Sequence, residues 1–365
     1  ILAEWQQRAA ASDEPLLACI LRTLARLAAA IAIRHGRVRG DRGLLTALAT
    51  DLVCNDHGSE MIGRMIEPHI EAAVEARGYR LLPSRERPVV LNTKGASASG
   101  KSTMRHLQRE LARELGLDWA DFALISPDIW RKYLLDYDGL GEASRYAGSL
   151  TGHELKIIDQ KLDRYMAQKA LRARISHLLI DRFRFDSFAE EEGGEEGARL
   201  LTRFGAVVYM FFMITPPIAT VERAWRRGLE VGRYKAVDLL LDHNVEAYTG
   251  MPDLFFTWAL RKDKQVHYEF LDNGVAAGLR PRTVAFGWND EMSILDIGCL
   301  LDVERFRKID IAARGPAEVH PDAAALAAGN NTAFLLQCGR LIRKIGLADR
   351  RTGRIYAEIE AGAVT

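Results

Sequence analysis

The residue types and spacing between positions 95 and 102 are those of a loop that binds phosphate. The stretch KGASASGKST meets the pattern G-x-x-x-x-G-K-S at Gly95, Gly100, Lys101 and Ser102. Small residues let backbone N–H groups curl around an anion, and the N-terminus of a following helix adds positive potential. Lys101 can reach the β- and γ-phosphates of a nucleotide, and the Ser102 hydroxyl can join a Mg²⁺ shell.

We therefore predict ATP and Mg²⁺ as cofactors. The predicted nucleotide-binding residues are Gly95, Ala96, Ser97, Ala98, Ser99, Gly100, Lys101, Ser102 and Thr103, with Ser102 also the metal ligand. The alternative is a glycine-rich turn that happens to precede Lys-Ser. The β-rich run VVLN before the loop and the helical pattern KSTMRHLQRELAREL after it favour the phosphate loop.

A kinase that phosphorylates a hydroxyl also needs a carboxylate near the γ-phosphate. Asp128 in FALISPDIWRKYL follows a β-rich run, and the carboxyl ends of parallel strands share one edge of a sheet. Taken alone, Asp128 is more typical of an ordinary residue at a helix start. Beside a phosphate loop, we interpret it as the group that activates the acceptor hydroxyl.

Arginines follow the strongest predicted strand. The stretch TPPIATVERAWRRGLEVGRYK carries Arg223, Arg226, Arg227 and Arg233, which could form a lid that neutralises the transferring phosphoryl group or simply a solvated helix face. Small residues in AGSLTGHE indicate a loop near a ligand. Thr151, His153 and Glu154 are therefore candidate substrate contacts, although Thr151 and Glu154 also have the spacing of a capping box.

Two other nucleotide-dependent classes lack their signatures. A GTPase needs Asn-Lys-x-Asp after a late strand, and this string does not occur. A motor-type ATPase usually has a strand ending in Asp-Glu, whereas HLLIDRF has Arg182 after Asp181.

The chain alternates β-rich and helical segments after residue 88, which is typical of α/β proteins with a parallel sheet. We predict a helical N-terminal region at 1–84, a kinase core with a five-stranded parallel sheet at 85–275, and a C-terminal extension packed on the core at 276–365. The expected strands are VVLN (89–92), FALI (122–125), HLLI (177–180), AVVYMFFMI (206–214) and VHYEFL (266–271), with RTVAF (282–286) as a further candidate. The stretch EEEGGEE at 190–196 predicts an acidic surface loop.

The composition sets limits on partners and compartment. Lys+Arg 50 nearly cancels Asp+Glu 49, so the net charge of +1 gives no general attraction to nucleic acid, and no stable nucleic-acid complex is expected. The four cysteines are scattered, which favours a reducing, cytoplasmic compartment. Arg22 and Arg26 interrupt the apolar segment 16–33, which predicts an amphipathic helix rather than a membrane span. The chain begins at Ile1 without methionine, so a targeting signal cannot be judged.

With these motifs in place, residues 88–275 resemble the zeta-toxin and polynucleotide-kinase-like phosphate-loop (P-loop) kinases. The resemblance implies roles for Lys101, for Asp128 as base and for Arg227 and Arg233 as lid arginines. It also implies an acidic residue after strand three, which is Asp181.

The motifs KGASASGKST, ISPDIWRKYLLDYD and RYAGSLTGHE more narrowly resemble the AvrRxo type III effectors of plant-pathogenic bacteria. That resemblance implies the adenosine-ribose 3′-hydroxyl of NAD as phosphate acceptor, a small antitoxin-like or chaperone-like protein partner, and secretion into host cells. The candidate substrate-binding residues are Asp128, Arg131, Thr151, His153, Glu154 and Asp181.

The main hypothesis is a Mg²⁺- and ATP-dependent kinase of a nucleotide-like hydroxyl, with NAD as the acceptor that the resemblance implies. A polynucleotide end or a nucleotide sugar would require the same chemistry with a different pocket. Two hypotheses from other classes stay open, namely an ATP-gated binding protein without acceptor chemistry and an inactive scaffold that retains the loop as a fold element.

Overall fold

A computed structural model of the protein describes residues 1–172, 174–181, 205–320, 322–360 and 362–364. The acidic segment predicted at 190–196 lies outside them. The chain forms two compact units, Ile1–Leu81 and Leu82–Thr365.

The first unit is helical. Its helices are α1 (Leu2–Ala10), α2 (Pro15–His35), α3 (Arg42–Val53) and α4 (Ser59–Ala76), with a π-helical turn at Cys54–Gly58 between the last two. Pro15 suits the first position of α2 because that residue needs no N–H partner, and Gly36 ends the helix in the left-handed conformation. By length and composition alone, α2 is one described helix that could cross a membrane, and 33% of its most apolar stretch is buried within the protein.

The second unit is built on a mixed sheet of ten strands among the described residues. The strands are β1 (Val89–Lys94), β2 (Phe122–Ile125), β3 (His177–Ile180), β4 (Val207–Ile214), β5 (Gln265–Asp272), β6 (Arg282–Trp288), β7 (Glu291–Ile294), β8 (Lys344–Ala348), β9 (Ile355–Glu360) and β10 (Ala363–Val364). Their order across the sheet is β10-β9-β8-β7-β6-β5-β4-β1-β3-β2.

The five predicted core strands and the further candidate at 282–286 are confirmed as strands. The core strands β2, β3, β1, β4 and β5 run parallel to their neighbours in that order. The prediction of a five-stranded parallel sheet is nevertheless wrong, because β6 pairs antiparallel with β5 and the sheet continues to β10. A tight turn at Asn289, whose φ is +44°, joins β6 to β7. This hairpin covers the edge of β5, which would otherwise expose unpaired N–H and C=O groups.

The helices of this unit cover both faces of the sheet. They are α5 (Arg105–Glu114), α6 (Pro127–Leu134), α7 (Ala147–Leu150), α8 (Gly152–Leu171), α9 (Pro217–Val231), α10 (Val237–Ala259), α11 (Ile297–Leu300), α12 (Asp302–Arg305), α13 (Ala323–Leu326) and α14 (Ala333–Leu341). Short 3₁₀ segments occur at Lys101–Met104, Trp119–Asp121, Asp138–Tyr146, Pro316–Glu318 and Ala328–Asn331.

Successive side chains of the central strands point to opposite faces of the sheet, and this explains why helices cover both faces. On β4, Met210 and Phe212 are buried in the larger core cluster, which includes Phe255 of α10. The intervening residue Phe211 is buried in a second cluster, with Met104 before α5. Because both faces of the central strands are buried, they read as continuous apolar runs.

The parallel strands bring five segment ends to one edge of the sheet, here called the carboxyl edge. The residues that follow β1, β2, β3, β4 and β5 at this edge are Gly95, Ser126, Asp181, Thr215 and Asn273. Ligands of open α/β sheets bind outside this edge, so the fold places the phosphate-loop motif where a ligand site is expected.

Candidate functional site

The loop from Gly95 to Gly100 follows a path that depends on its two glycines. A Cβ atom at Gly95 would lie 2.8 Å from the Cβ of Met213, and one at Gly100 would overlap the side-chain amide of Asn273. Gly100 has φ +95° and Ala98 has φ +60°, so both residues are in the left-handed region. For Ala98 this conformation costs roughly 1–2 kcal/mol, and such strain persists only where the surrounding structure holds it.

The ends of β4 and β5 hold the loop. The carbonyl of Ser99 accepts hydrogen bonds from the Thr215 hydroxyl at 3.1 Å and from Nδ2 of Asn273 at 2.7 Å. Ser99 and Thr215 are fully buried, and Asn273 is 6% exposed. The backbone carbonyl of Asn273 accepts in turn from Arg223 Nη2 at 2.7 Å. The loop is therefore held in place by contacts within the protein.

Lys101 lies at the point where the loop turns into helix. Its Nζ donates to the carbonyls of Gly95 and Ala96, each at 2.8 Å. Burial lowers the pKa of Lys101 to about 8, the carboxylates of Asp181 and Asp128 oppose that shift, and Arg227 adds to it. Both carboxylates are thus close enough to Lys101 to favour its charged form.

The predicted helix after the loop begins as a 3₁₀ turn at Lys101–Met104 and becomes α-helical at Arg105. Ser102 and Thr103 are exposed in this turn, and the Thr103 hydroxyl donates to the carbonyl of Gly100 at 2.6 Å. An exposed serine hydroxyl at this position is an oxygen donor suited to Mg²⁺.

Asp128 occupies the first turn of α6, at the same edge as the loop. Its Oδ1 accepts from Arg131 Nη2 at 2.5 Å, and its side chain is 48% exposed while that of Arg131 is 4% exposed. Arg131 Nη1 also donates to the carbonyls of Gly148 at 3.2 Å and Thr151 at 3.4 Å. Arg131, predicted to contact substrate, is therefore buried behind Asp128 and joins it to the segment before α8.

The other candidate substrate residues differ in accessibility. Thr151 is buried, and its hydroxyl donates to the carbonyl of Ala147 at 2.6 Å instead of capping α8, so the alternative of a capping box is not formed. His153 and Glu154 are exposed in the first turn of α8. Asp181 follows β3 and accepts from Arg105 Nη2 at 3.1 Å.

The four arginines of the predicted lid divide into two pairs. Burial lowers the pKa of Arg227, the charge of Arg233 lowers it further, and Asp128 opposes the shift, so these three groups lie near one another. Arg223 instead anchors the end of β5, and exposed Arg226 pairs with Glu222 at 3.1 Å on the surface of α9. Arg227 thus lies within electrostatic range of Asp128 and Arg233, whereas the contacts described for Arg223 and Arg226 lie elsewhere.

Sequence reasoning missed two residues of the site, Lys235 and His243. Lys235 Nζ lies 3.1 Å from Ser97 Oγ and 2.7 Å from His243 Nδ1. Burial lowers the pKa of Lys235 to about 8, opposed by Asp128 and reinforced by the charges of Lys101, Arg227 and Arg233. The place of Lys235 two residues after Arg233 was a usable signal, whereas His243 lies inside a helical pattern that gave none.

Among the described residues, the carboxyl edge brings several cations into electrostatic range of two carboxylates, which also pair with Arg131 and Arg105. The cations are Lys101, Arg227, Arg233 and Lys235, and the carboxylates are Asp128 and Asp181. Among the described residues there is no group of three or more His, Cys, Asp or Glu side chains that could hold a metal ion by itself. A cationic cluster beside a glycine loop suits a polyphosphate, whose oxygens can complete a Mg²⁺ shell.

Comparison with known proteins shows no family for this chain. No protein-family model matches the chain, and no curated protein matches it. One similar solved structure comes from a study titled as the molecular and structural characterization of the PezAT chromosomal toxin–antitoxin system of Streptococcus pneumoniae. The match has 14% identity and a TM-score of 0.36, and it covers 58% of this chain and 78% of the other. A likeness of this size does not indicate a shared function.

Proposed function

We propose that this protein is an ATP-dependent phosphotransferase that acts on a hydroxyl of a nucleotide-like acceptor. One observation carries the proposal. A glycine loop with Lys101 at its end and the carboxylate of Asp128 lie at the same edge of the sheet, close enough for the charge of Asp128 to act on Lys101. Phosphoryl transfer needs this pairing of a polyphosphate cradle with a group that orients the attacking hydroxyl.

The nucleotide would bind first through the loop. Backbone N–H groups of the loop between Gly95 and Gly100 would donate to the phosphates, and Lys101 would contact the β- and γ-phosphates. Ser102 and Asp181 would hold Mg²⁺, since both present oxygen atoms beside Lys101 and Asp181 is partly exposed. Mg²⁺, when bound, neutralises charge on the β- and γ-phosphate oxygens.

The transfer step then involves Asp128. The acceptor hydroxyl donates to the Asp128 carboxylate, its oxygen forms a bond to the γ-phosphorus, and the bond to the β–γ bridging oxygen breaks. ADP leaves, and the hydroxyl proton passes to Asp128. Arg227 and Arg233 stabilise the negative charge that spreads over the transferring phosphoryl oxygens. Arg131 positions Asp128 from behind.

One exposed aromatic side chain supports a nucleotide-like acceptor. Tyr146, before α7, is 48% exposed, and its ring centroid lies 6.3 Å from that of Tyr234, the residue between Arg233 and Lys235. Aromatic faces of this kind stack well on nucleobases. The further step to NAD, and the small protein partner and effector or toxin role that go with it, rest on the sequence resemblance.

The test is an ATP-consumption assay with and without an acceptor, followed by mass analysis of the products. NAD, an oligonucleotide with a free 5′-hydroxyl, and a nucleotide sugar form the acceptor panel. We expect ADP production that depends on the acceptor, and a product one phosphate heavier. Slow ADP production that no acceptor stimulates would contradict the proposal and favour an ATP-gated binding protein.

A further inference from the structure

Three side chains from distant parts of the chain meet on the nucleotide side of the site. Ser97 lies in the loop, Lys235 lies between α9 and α10, and His243 lies on α10. Ser97 Oγ is 2.7 Å from His243 Nδ1, and Lys235 Nζ is within hydrogen-bond distance of both, at 3.1 and 2.7 Å. The phosphate-loop motif itself requires none of these side chains.

His243 serves as a neutral acceptor in this triangle. Burial lowers the pKa of His243 to about 3, and the charges of Lys235 and Lys101 reinforce the shift. The imidazole is therefore uncharged at neutral pH, and a nitrogen that accepts from Lys235 carries no proton of its own. A neutral acceptor fixes the position of an ammonium group without cancelling its charge, whereas a carboxylate at this place would cancel it.

Lys235 lies among the groups that face the transferring phosphate. Its charge interacts with Asp128, Lys101, Arg227 and Arg233, which are the residues assigned to the reaction above. An ammonium group has three N–H donors, and the hydrogen bonds described for Lys235 use two of them. A third donor can point to a ligand held by the loop.

We propose that Lys235 is a second phosphate-binding lysine, which contacts the terminal phosphate of the nucleotide beside Lys101, and that His243 positions its ammonium group. The proposal rests on the nucleotide-binding half of the proposed function and not on the transfer step. It makes Lys235 a residue that distinguishes a nucleoside triphosphate from a diphosphate.

The experiment measures the dissociation constants of ADP and of the β,γ-imido analogue of ATP, both with Mg²⁺, by calorimetry. In Lys235→Gln, we expect the affinity for the ATP analogue to fall about 10- to 100-fold, because a charged hydrogen bond is lost, while the affinity for ADP changes less than about threefold. Lys262→Gln is the matched control, since Lys262 is exposed and precedes β5 at the opposite edge of the sheet. This control should leave both constants unchanged.

The role of His243 is tested with two variants of the same shape. His243→Asn keeps a neutral acceptor and should retain most of the preference for the ATP analogue over ADP. His243→Asp holds Lys235 but cancels its charge, so the preference should fall about as far as in Lys235→Gln. A structural role alone would affect both variants alike, and it would affect both nucleotides alike.

The outcomes separate this proposal from the proposed function. Equal losses for the two nucleotides in Lys235→Gln, or no loss for either, overturn the role of Lys235. A wild-type protein that binds neither nucleotide overturns both proposals. A wild-type protein that binds both nucleotides but phosphorylates no acceptor overturns the transferase alone, and the affinities in the variants still decide the role of Lys235.

Discussion

The nucleotide side and the acceptor side of the site are built differently. The loop at 95–100 is held from β4 and β5 by buried side chains, and two of its positions admit only glycine. On the acceptor side, Asp128 is 48% exposed, and the contact described for its carboxylate is the one with Arg131. Under the proposed function, a nucleotide loop held by buried contacts thus faces a carboxylate for which one supporting residue is described. Changes on the first side should therefore affect binding, and changes on the second should affect transfer.

The largest effect on nucleotide binding is expected for Gly100→Ala. The new Cβ would overlap the amide of Asn273 at a residue with φ +95°, so the loop must move, and nucleotide affinity should fall about 100-fold or more. Gly116→Ala is the control, because Gly116 has φ +71° but open space around it. It should lower the free energy of unfolding by only about 1 kcal/mol and leave affinity unchanged. Similar affinities in the two variants would show that the loop is not held as described.

The next effect concerns the acceptor side. Arg131→Gln removes the group that holds Asp128, so the rate of transfer should fall about 10- to 100-fold while the affinity for ATP stays within about threefold. Arg226→Gln is matched to it, since Arg226 pairs with a carboxylate on an exposed helix face. Steady-state kinetics and calorimetry provide the two readouts. A loss of ATP affinity in Arg131→Gln equal to the loss of rate would remove the distinction between the two sides.

A smaller effect is expected where the loop is anchored. Asn273→Ala deletes one of the two side-chain donors to the Ser99 carbonyl, which should lower the free energy of unfolding by about 1–3 kcal/mol and weaken ATP binding severalfold. Asn330→Ala deletes a similar bond, to the carbonyl of Ala324, at an exposed site. Its effect on unfolding in urea should be under about 0.5 kcal/mol. Equal losses in the free energy of unfolding in the two variants would contradict the claim that burial strengthens the Asn273 hydrogen bond.

The last effect is a pH dependence. Burial lowers the pKa of Lys235 to about 8, so the free protein loses this positive charge as the pH rises through that value. Binding of a phosphate that needs the ammonium must then recover a proton, and the affinity for the ATP analogue should fall between pH 7 and 9, by at most about tenfold per pH unit for this group. The decrease should be shallower in Lys235→Gln. If the affinities of the wild type and of Lys235→Gln change with pH in parallel, the proton on Lys235 has no role in binding.

The sequence predicted the features that local pattern encodes. The apolar runs of β1 to β5 and the spacing of glycines, lysine and serine in the loop are properties of short segments, so they were readable without the fold. The number of strands beyond β5 was underestimated, because the residues RTVAF do not indicate which strand they pair with.

The two missed residues of the site, Lys235 and His243, and the loop anchor Asn273 all act through long-range contacts. Lys235 and His243 reach Ser97 from 138 and 146 residues away, and Asn273 reaches Ser99 from 174 residues away. Arg131 differs from these residues, because its contact with Asp128 is a short-range one. It lies three residues after Asp128 and was expected to contact the substrate, but its side chain is 4% exposed and donates to the carboxylate of Asp128.

The most direct test of the central claim compares transfer and binding in Asp128→Asn. The asparagine keeps the size of the side chain but can neither orient a hydroxyl as a carboxylate does nor accept its proton. We expect acceptor phosphorylation to fall about 10²- to 10⁴-fold, while the affinity for the ATP analogue is unchanged or slightly tighter because a negative charge near the phosphates is gone. Transfer at the wild-type rate, or a loss of nucleotide binding as large as the loss of transfer, would contradict the account.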